Sequence, residues 1–287
     1  MGKTNLRNLS TDHLSQNQFI TIGEEKIFYT QKGEGKDILL IHGMPGSHQD
    51  WKLIIDSLAK EYRVTAFDRP GHGYSTSNAY NYQLKENAKL VENLILQLHL
   101  KNPLIVGHSY GGSIAANLAT YSLQTGLRYV IIDSPLYGYQ VKRIKKLPVI
   151  PFIGKGLTVI ASYTILNKNI ANDVALQFKS TSQEQIKDYI LERQHMWSQP
   201  KVLFTLSNEA TQLAETLKFM ATDYHQIQAP VTIISSTDSV NTFRNDCIRF
   251  HYTVADSKLL LWKNTGHYIQ LERANKLIGE IRKLMVE

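Results

Sequence analysis

PLIVGHSYGG, residues 103–112, runs apolar through Leu104, Ile105 and Val106 and then stops at Gly-x-Ser-x-Gly, with Ser109 at its centre. A strand that ends in a sharp turn, with glycines two residues before and two after the serine, forces that serine into strained backbone and aims its hydroxyl into open space. Gly107 and Gly111 are expected to be bare because a side chain there would collide. Downstream, SIAANLATYSL (113–123) reads as a helix rich in small residues that packs closely on a sheet. Strand, elbow and helix follow in the order the motif requires.

Outward from the elbow, the chain alternates. Residues 18–33 carry β-rich runs around a polar turn, which predicts an antiparallel hairpin at a sheet edge. DILLIHG (37–43) is an unbroken apolar run of the kind that suits a parallel strand covered on both faces. A helix over 50–60, a strand over 62–68, a helix over 84–100, the elbow strand, its helix and a strand over 129–133 continue the rhythm. This βαβα order predicts an α/β fold with a doubly wound, mostly parallel sheet. The rhythm stops over 136–224, which carries helical patterns and few strand signals. An inserted helical unit therefore divides the core into 1–135 and 225–287. VTIISS, a helix near 245–253, the strand SKLLLW and an amphipathic helix over 268–286 complete the expected core.

With 287 residues the chain can bury a full core. Its formal charge of +7 is spread along the whole sequence, which reads as a solvated surface and argues against a nucleic-acid partner. One cysteine, Cys247, excludes an internal disulfide framework, and the polar N-terminus lacks an apolar signal core, so a cytoplasmic protein is expected. Residues 147–166 are broken by Pro151, Gly154, Lys155 and Gly156 and make no uninterrupted transmembrane segment. The stretch 139–160 holds five Lys/Arg and no acid beside apolar residues; a cap lining the substrate pocket is the favoured reading, with transient membrane-surface contact as the alternative. No grouping has metal-ligand spacing, and no phosphate-binding glycine loop is present, so neither metal nor cofactor is expected.

A serine hydroxyl is a poor nucleophile until a histidine takes its proton and a carboxylate orients that histidine. His267, in NTGHYIQLE, follows the last strand, and Asp238 ends the strand before it. The order serine, acid, histidine is that of the elbow type. The tetrahedral intermediate needs two backbone N–H donors, for which Tyr110, after the nucleophile, and Met44, in HGMPG, are in place.

At this level the sequence resembles the α/β-hydrolase superfamily, specifically a cap-bearing serine hydrolase of esterase type. HGMPGSHQDW resembles its oxyanion loop, FDRPGHGYS the loop after its fourth strand, GHSYGG its nucleophile elbow and GHYIQLERANKLI its histidine region. The resemblance implies an eight-stranded sheet, a helical cap after the sixth strand and cofactor-free hydrolysis. The acid departs from the pattern, because SSTDSV is short and lacks glycine before Asp238; Asp133, in VIIDSP, is the rival.

The blander readings assign His42 and His108 to loop hydrogen bonding, Asp68 and Asp133 to accepting backbone N–H bonds in the turns after their strands, and Cys247 to packing. Tyr137, Trp197 and Phe204 are cap-region aromatics, expected in the core more than against substrate. The expected function is a serine hydrolase forming an acyl-enzyme with a small or medium apolar ester. Amide or C–C bond hydrolysis stays open, as do a ligand receptor and a cofactor-free oxygenase of the same fold. Epoxide and haloalkane hydrolysis are disfavoured because the nucleophile position holds Ser109 rather than aspartate.

Overall fold

The computed structural model describes residues 19–78, 82–138, 174–181, 183–238 and 241–286. The basic stretch 139–160 and the N-terminal reading of 1–18 lie outside these residues.

Eight strands form one sheet: β1 (Phe19–Ile22), β2 (Glu25–Lys32), β3 (Asp37–Ile41), β4 (Arg63–Phe67), β5 (Leu104–His108), β6 (Arg128–Ile132), β7 (Val231–Ser236) and β8 (Ser257–Trp262). Their spatial order is β1-β2-β4-β3-β5-β6-β7-β8. The first two strands are antiparallel and every pair from β4 to β8 is parallel. This is the doubly wound sheet that the apolar runs predict, with β5 central.

Those runs are unbroken because both faces are covered. Leu39, Ile41, Ile105, Ile131 and Ile233 enter one core layer, packed with Val91 and Leu94 of α2 (Leu84–Gln97), Ile114 and Ala115 of α3 (Tyr110–Tyr121) and Phe250 of a later helix. Their neighbours Leu40, Val106, Val130, Ile132 and Ile234 enter the other layer, with Ile54 and Leu58 of α1 (Lys52–Leu58) and the C-terminal helix. Successive side chains of a strand thus feed opposite cores.

Between β6 and β7 the described residues include the helices α4 (Gln183–Trp197) and α5 (Pro200–Met220). Pro200 opens α5, where its missing N–H costs nothing. A third cluster joins Val174, Phe178, Ile186, Tyr189, Met196 and Trp197 to Tyr268 of the core. Lys201 donates to the Gly73 and Ser75 carbonyls at 2.6 and 3.0 Å, fastening the start of α5 to the loop after β4. After α6 (Asn241–Thr253) and β8, the expected single final helix is two: α7 (Ile269–Glu272) and α8 (Ala274–Val286), separated at Arg273, whose φ of −128° is not helical.

Candidate active site

Ser109 stands between β5 and α3 with φ 54° and ψ −122°, a backbone conformation a β-carbon resists. The flanking residues must then be glycine. A Cβ on Gly107 would run into the carbonyl of Gly111, and one on Gly111 into the carbonyl of Ile41. The helix consequently starts at Tyr110, earlier than the small-residue pattern from Ser113 suggests, because the glycines that weaken helix propensity are the ones the close approach needs.

Gly43, Met44, Pro45, Asp50, His108, Ser109, Gln177, Trp197, His267 and Tyr268 line a cavity of about 60 Å³. Ser109, His267 and Met44 are therefore brought together at the carboxyl ends of the strands, where ligands gather in open α/β sheets. Tyr110 is buried directly behind Ser109. Trp197 lines this cavity, whereas Tyr137 is core, edge-on to Tyr224 at 5.6 Å.

The carboxylate against His267 belongs to Asp133. Its Oδ2 lies 2.7 Å from His267 Nδ1, and its Oδ1 accepts from Ser235 Oγ at 2.8 Å and Ser236 N at 3.3 Å. Asp133 is fully buried, with φ 42°. A carboxylate oxygen accepts, so Nδ1 is the donor in this contact. Asp238 is not brought to the histidine: it is exposed, and its Oδ2 accepts from Asn264 N at 2.7 Å and Thr237 Oγ1 at 3.0 Å. The expected pairing fails because Asp133 leaves β6 at once in left-handed backbone, while Asp238 lies two residues past Ser236, turned towards the Asn264 turn.

His267 is held from both sides. Its N–H donates to the Gln177 carbonyl at 2.8 Å, and its carbonyl accepts from His108 Nε2 at 2.9 Å. Burial, then the nearby His267, keeps the His108 imidazole neutral well below the usual histidine range. Glu272 gathers the surrounding chain, accepting from Gly266 N, Lys179 N, Ser180 N and Ser180 Oγ at 2.6–3.0 Å.

Residues that the sequence reading left without a role surround this centre. Asp50 pairs with Arg193 of α4, which also donates to Ser47 Oγ at 3.1 Å and lies over the Tyr189 ring at 4.2 Å. Burial pushes the Asp50 carboxyl up, and Arg193 pulls it back only in part. Arg69, in the loop after β4, forms a buried pair with Glu209 of α5. FDRPGHG marks the neighbourhood of Arg69; Glu209 shares α5 with Glu215 and is distinguished only by its helical spacing from the buried Val202 and Leu213. His42 and Asp68 have the loop roles expected of them: His42 Nδ1 meets the Gly43 carbonyl at 2.8 Å, and Asp68 accepts from His48 N and Tyr74 N at 2.7 and 2.8 Å. Cys247 is buried and unpaired. Among the described residues, no cluster of three or more His, Cys, Asp or Glu suits a metal, and no helix is long and apolar enough to cross a membrane.

Left-handed elbow, parallel sheet and strand-end histidine define a class, and comparison with known proteins gives the family. Residues 38–280 match the model of the alpha/beta hydrolase family, and the chain belongs to it. Among curated relatives, the dihydrolipoyllysine-residue acetyltransferase component of the acetoin cleaving system of Cupriavidus necator is 33% identical over 122 residues, 42% of this chain and 33% of that protein. The match thus spans about a third of that relative's length. The (E)-2-((N-methylformamido)methylene)succinate hydrolase of Acinetobacter baylyi is 21% identical over 87% of this chain and 90% of its own. The enol-lactonase of Burkholderia xenovorans LB400 superimposes with a TM-score of 0.74 at 18% identity, covering 94% of this chain and 100% of that one.

Proposed function

We propose that the protein is a serine hydrolase that acts through an acyl-enzyme on a small or medium apolar ester-type substrate. The observation that carries this reading is the Asp133–His267 contact at 2.7 Å, ending at a cavity that Ser109 also lines. His267 Nε2 takes the Ser109 proton as Oγ attacks the acyl carbon. The carbonyl π pair moves onto oxygen, where the Met44 and Tyr110 N–H groups receive it. Collapse breaks the acyl–oxygen bond, and the His267 proton leaves with the alcohol. Water, deprotonated by His267, then releases the acid. Asp133 keeps the imidazole in the working tautomer and stabilises its charge. The helices between β6 and β7 act as the cap, and Trp197, Met44, Pro45 and Tyr268 supply the apolar part of a lining that Asp50, Gln177, His108 and His267 otherwise make polar.

Support also comes from family membership and from the hydrolase named among the relatives. The test is turnover of a short-chain nitrophenyl ester, with fluorophosphonate labelling of the same preparation. Multiple turnover and labelling, both abolished in Ser109→Ala, are expected. Labelling or turnover that survives the substitution rejects the assignment. A panel of ester, amide and β-diketone substrates then fixes the bond class.

A further inference from the structure

The Gly43–Met44 peptide carries the N–H proposed to receive the oxyanion, and its carbonyl is gripped on the other side. Arg69 Nη2 donates to Gly43 O at 2.9 Å, and His42 Nδ1 meets the same oxygen at 2.8 Å. The His42 proton is placed by its other nitrogen, since Nε2 accepts from Arg69 N–H at 2.9 Å and Nδ1 must therefore be the donor. Burial, reinforced by the Arg69 charge, keeps His42 neutral well below the usual histidine range. Both lone pairs of the Gly43 oxygen are thus occupied, one by a charged donor. Across a trans peptide the N–H points opposite to the carbonyl. Fixing the carbonyl against Arg69 and His42 fixes the Met44 N–H on the reverse side, and hydrogen bonds to a carbonyl strengthen its peptide N–H as a donor.

Arg69 also reaches the other donor. Its guanidinium lies 4.6 Å from the centre of the Tyr110 ring, at the first residue of α3. The cation itself is held from α5: Glu209 accepts from both terminal nitrogens of Arg69, and His72 Nε2 and Asn87 Nδ2 approach the same carboxylate at 3.2 and 3.3 Å. Arg69, His72 and Glu209 are fully buried. Burial alone would raise the Glu209 carboxyl, but Arg69 and then His72 outweigh it and hold it below the usual range.

We infer that Arg69 is a positioning residue for the oxyanion hole and that Glu209 makes its grip depend on α5 being docked. The inference rests on the proposed acyl-transfer reading. In this arrangement the helices between β6 and β7 do more than cover substrate: the α5 carboxylate sets the guanidinium that sets the Met44 amide. An undocked α5 leaves Ser109 and His267 in place but removes the counter-charge holding Arg69.

The test compares nitrophenyl acetate with its thionoacetate analogue, whose C=S sulfur is a poor acceptor and depends less on the hole. Two variants are measured, Arg69→Met with Glu209→Leu, which avoids stranding either charge, and Glu209→Gln, which keeps the shape and removes the charge. Far-UV circular dichroism and fluorophosphonate labelling establish that each is folded and that Ser109 is reactive. The expected result is an ester kcat lower by about 10- to 100-fold in the double variant and less in Glu209→Gln, with KM little changed and the ester-to-thionoester ratio falling in parallel. Should the double variant not fold, Glu209→Gln decides the matter. A folded variant with an unchanged ratio, including one in which both substrates slow together, overturns the inference while leaving the hydrolase reading standing. A wild type that neither turns over nor is labelled overturns both.

Discussion

Asp133 and His267, 134 residues apart in the chain, meet at 2.7 Å, and the carboxylate's second oxygen is held by Ser235 and Ser236 at the end of the next strand. Two neighbouring strands, β6 and β7, therefore determine how one imidazole, carried on the loop after a third, is oriented. Asp133→Asn should lower kcat by roughly 10³- to 10⁴-fold, because the amide can present N–H to Nδ1 and trap the wrong tautomer. Asp238→Asn should change kcat by no more than about 2-fold, since an exposed turn residue contributes little to transition-state binding. Steady-state kinetics on one nitrophenyl ester checks both, and the reverse ranking would return the acid to β7.

The elbow gives a prediction of stability rather than rate. At Gly111 the added methyl of alanine meets the Ile41 carbonyl of the adjacent strand, and at Gly107 it meets the Gly111 carbonyl. Backbone on both sides has no rotamer to yield. Gly107→Ala and Gly111→Ala should each cost about 1–3 kcal/mol or more. The check is the urea midpoint, with Gly279→Ala as control, because a Cβ at that helical position meets nothing within 4 Å.

Strand positions were legible in the sequence because the interior strands are buried on both faces and run largely apolar; VTIISS coincides with interior β7 residue for residue, and SKLLLW does so with β8 at the sheet edge. The elbow was legible because Gly107 and Gly111 leave a local mark. The acid was not. VIIDSP and SSTDSV both end a strand in aspartate, and choosing between them requires knowing where the β8–α7 loop delivers His267. Nothing within ten residues of either aspartate encodes that. The same holds for Arg69 and Glu209, paired across 140 residues, where α5 carries both Glu209 and Glu215 and only helical spacing from Val202 and Leu213 separates the buried one.

Buried imidazoles predict how stability responds to pH. Burial lowers His42, His72 and His108, so the folded chain carries them neutral while the unfolded chain protonates near pH 6.5. Acidification through that value therefore favours unfolding. His48 opposes the trend. Burial alone would lower it, but Asp68, 2.8 Å from Nδ1, raises it, so its contribution is full below the unfolded value and is lost as pH rises through the folded one. The wild type should lose stability between pH 7.5 and 5.5. His48→Asn should lose it more steeply, by up to about 1 kcal/mol across the same interval. Urea titrations at both pH values measure the difference, and a shallower slope in the variant rejects the sign assigned to His48.

Glu272 offers a separate handle on the segment 174–181 that closes over the histidine. One carboxylate accepts from Lys179 N, Ser180 N, Ser180 Oγ and Gly266 N, and the same segment supplies Gln177, whose carbonyl holds the His267 amide and which itself lines the cavity. Removing the carboxylate frees three backbone amides but leaves the Asp133–His267 contact intact. Substrate binding should therefore suffer more than chemistry. Glu272→Ala is expected to raise KM by about 3- to 10-fold with a smaller change in kcat, because the loss falls on ground-state and transition-state contacts alike. Amide exchange at Lys179 and Ser180 should quicken by at least about 10-fold as the local opening energy falls by more than 1 kcal/mol. If KM stays constant while exchange quickens, the segment is dispensable for substrate and Gln177 serves only the histidine loop; a fall in kcat alone would mean that Glu272 acts through His267.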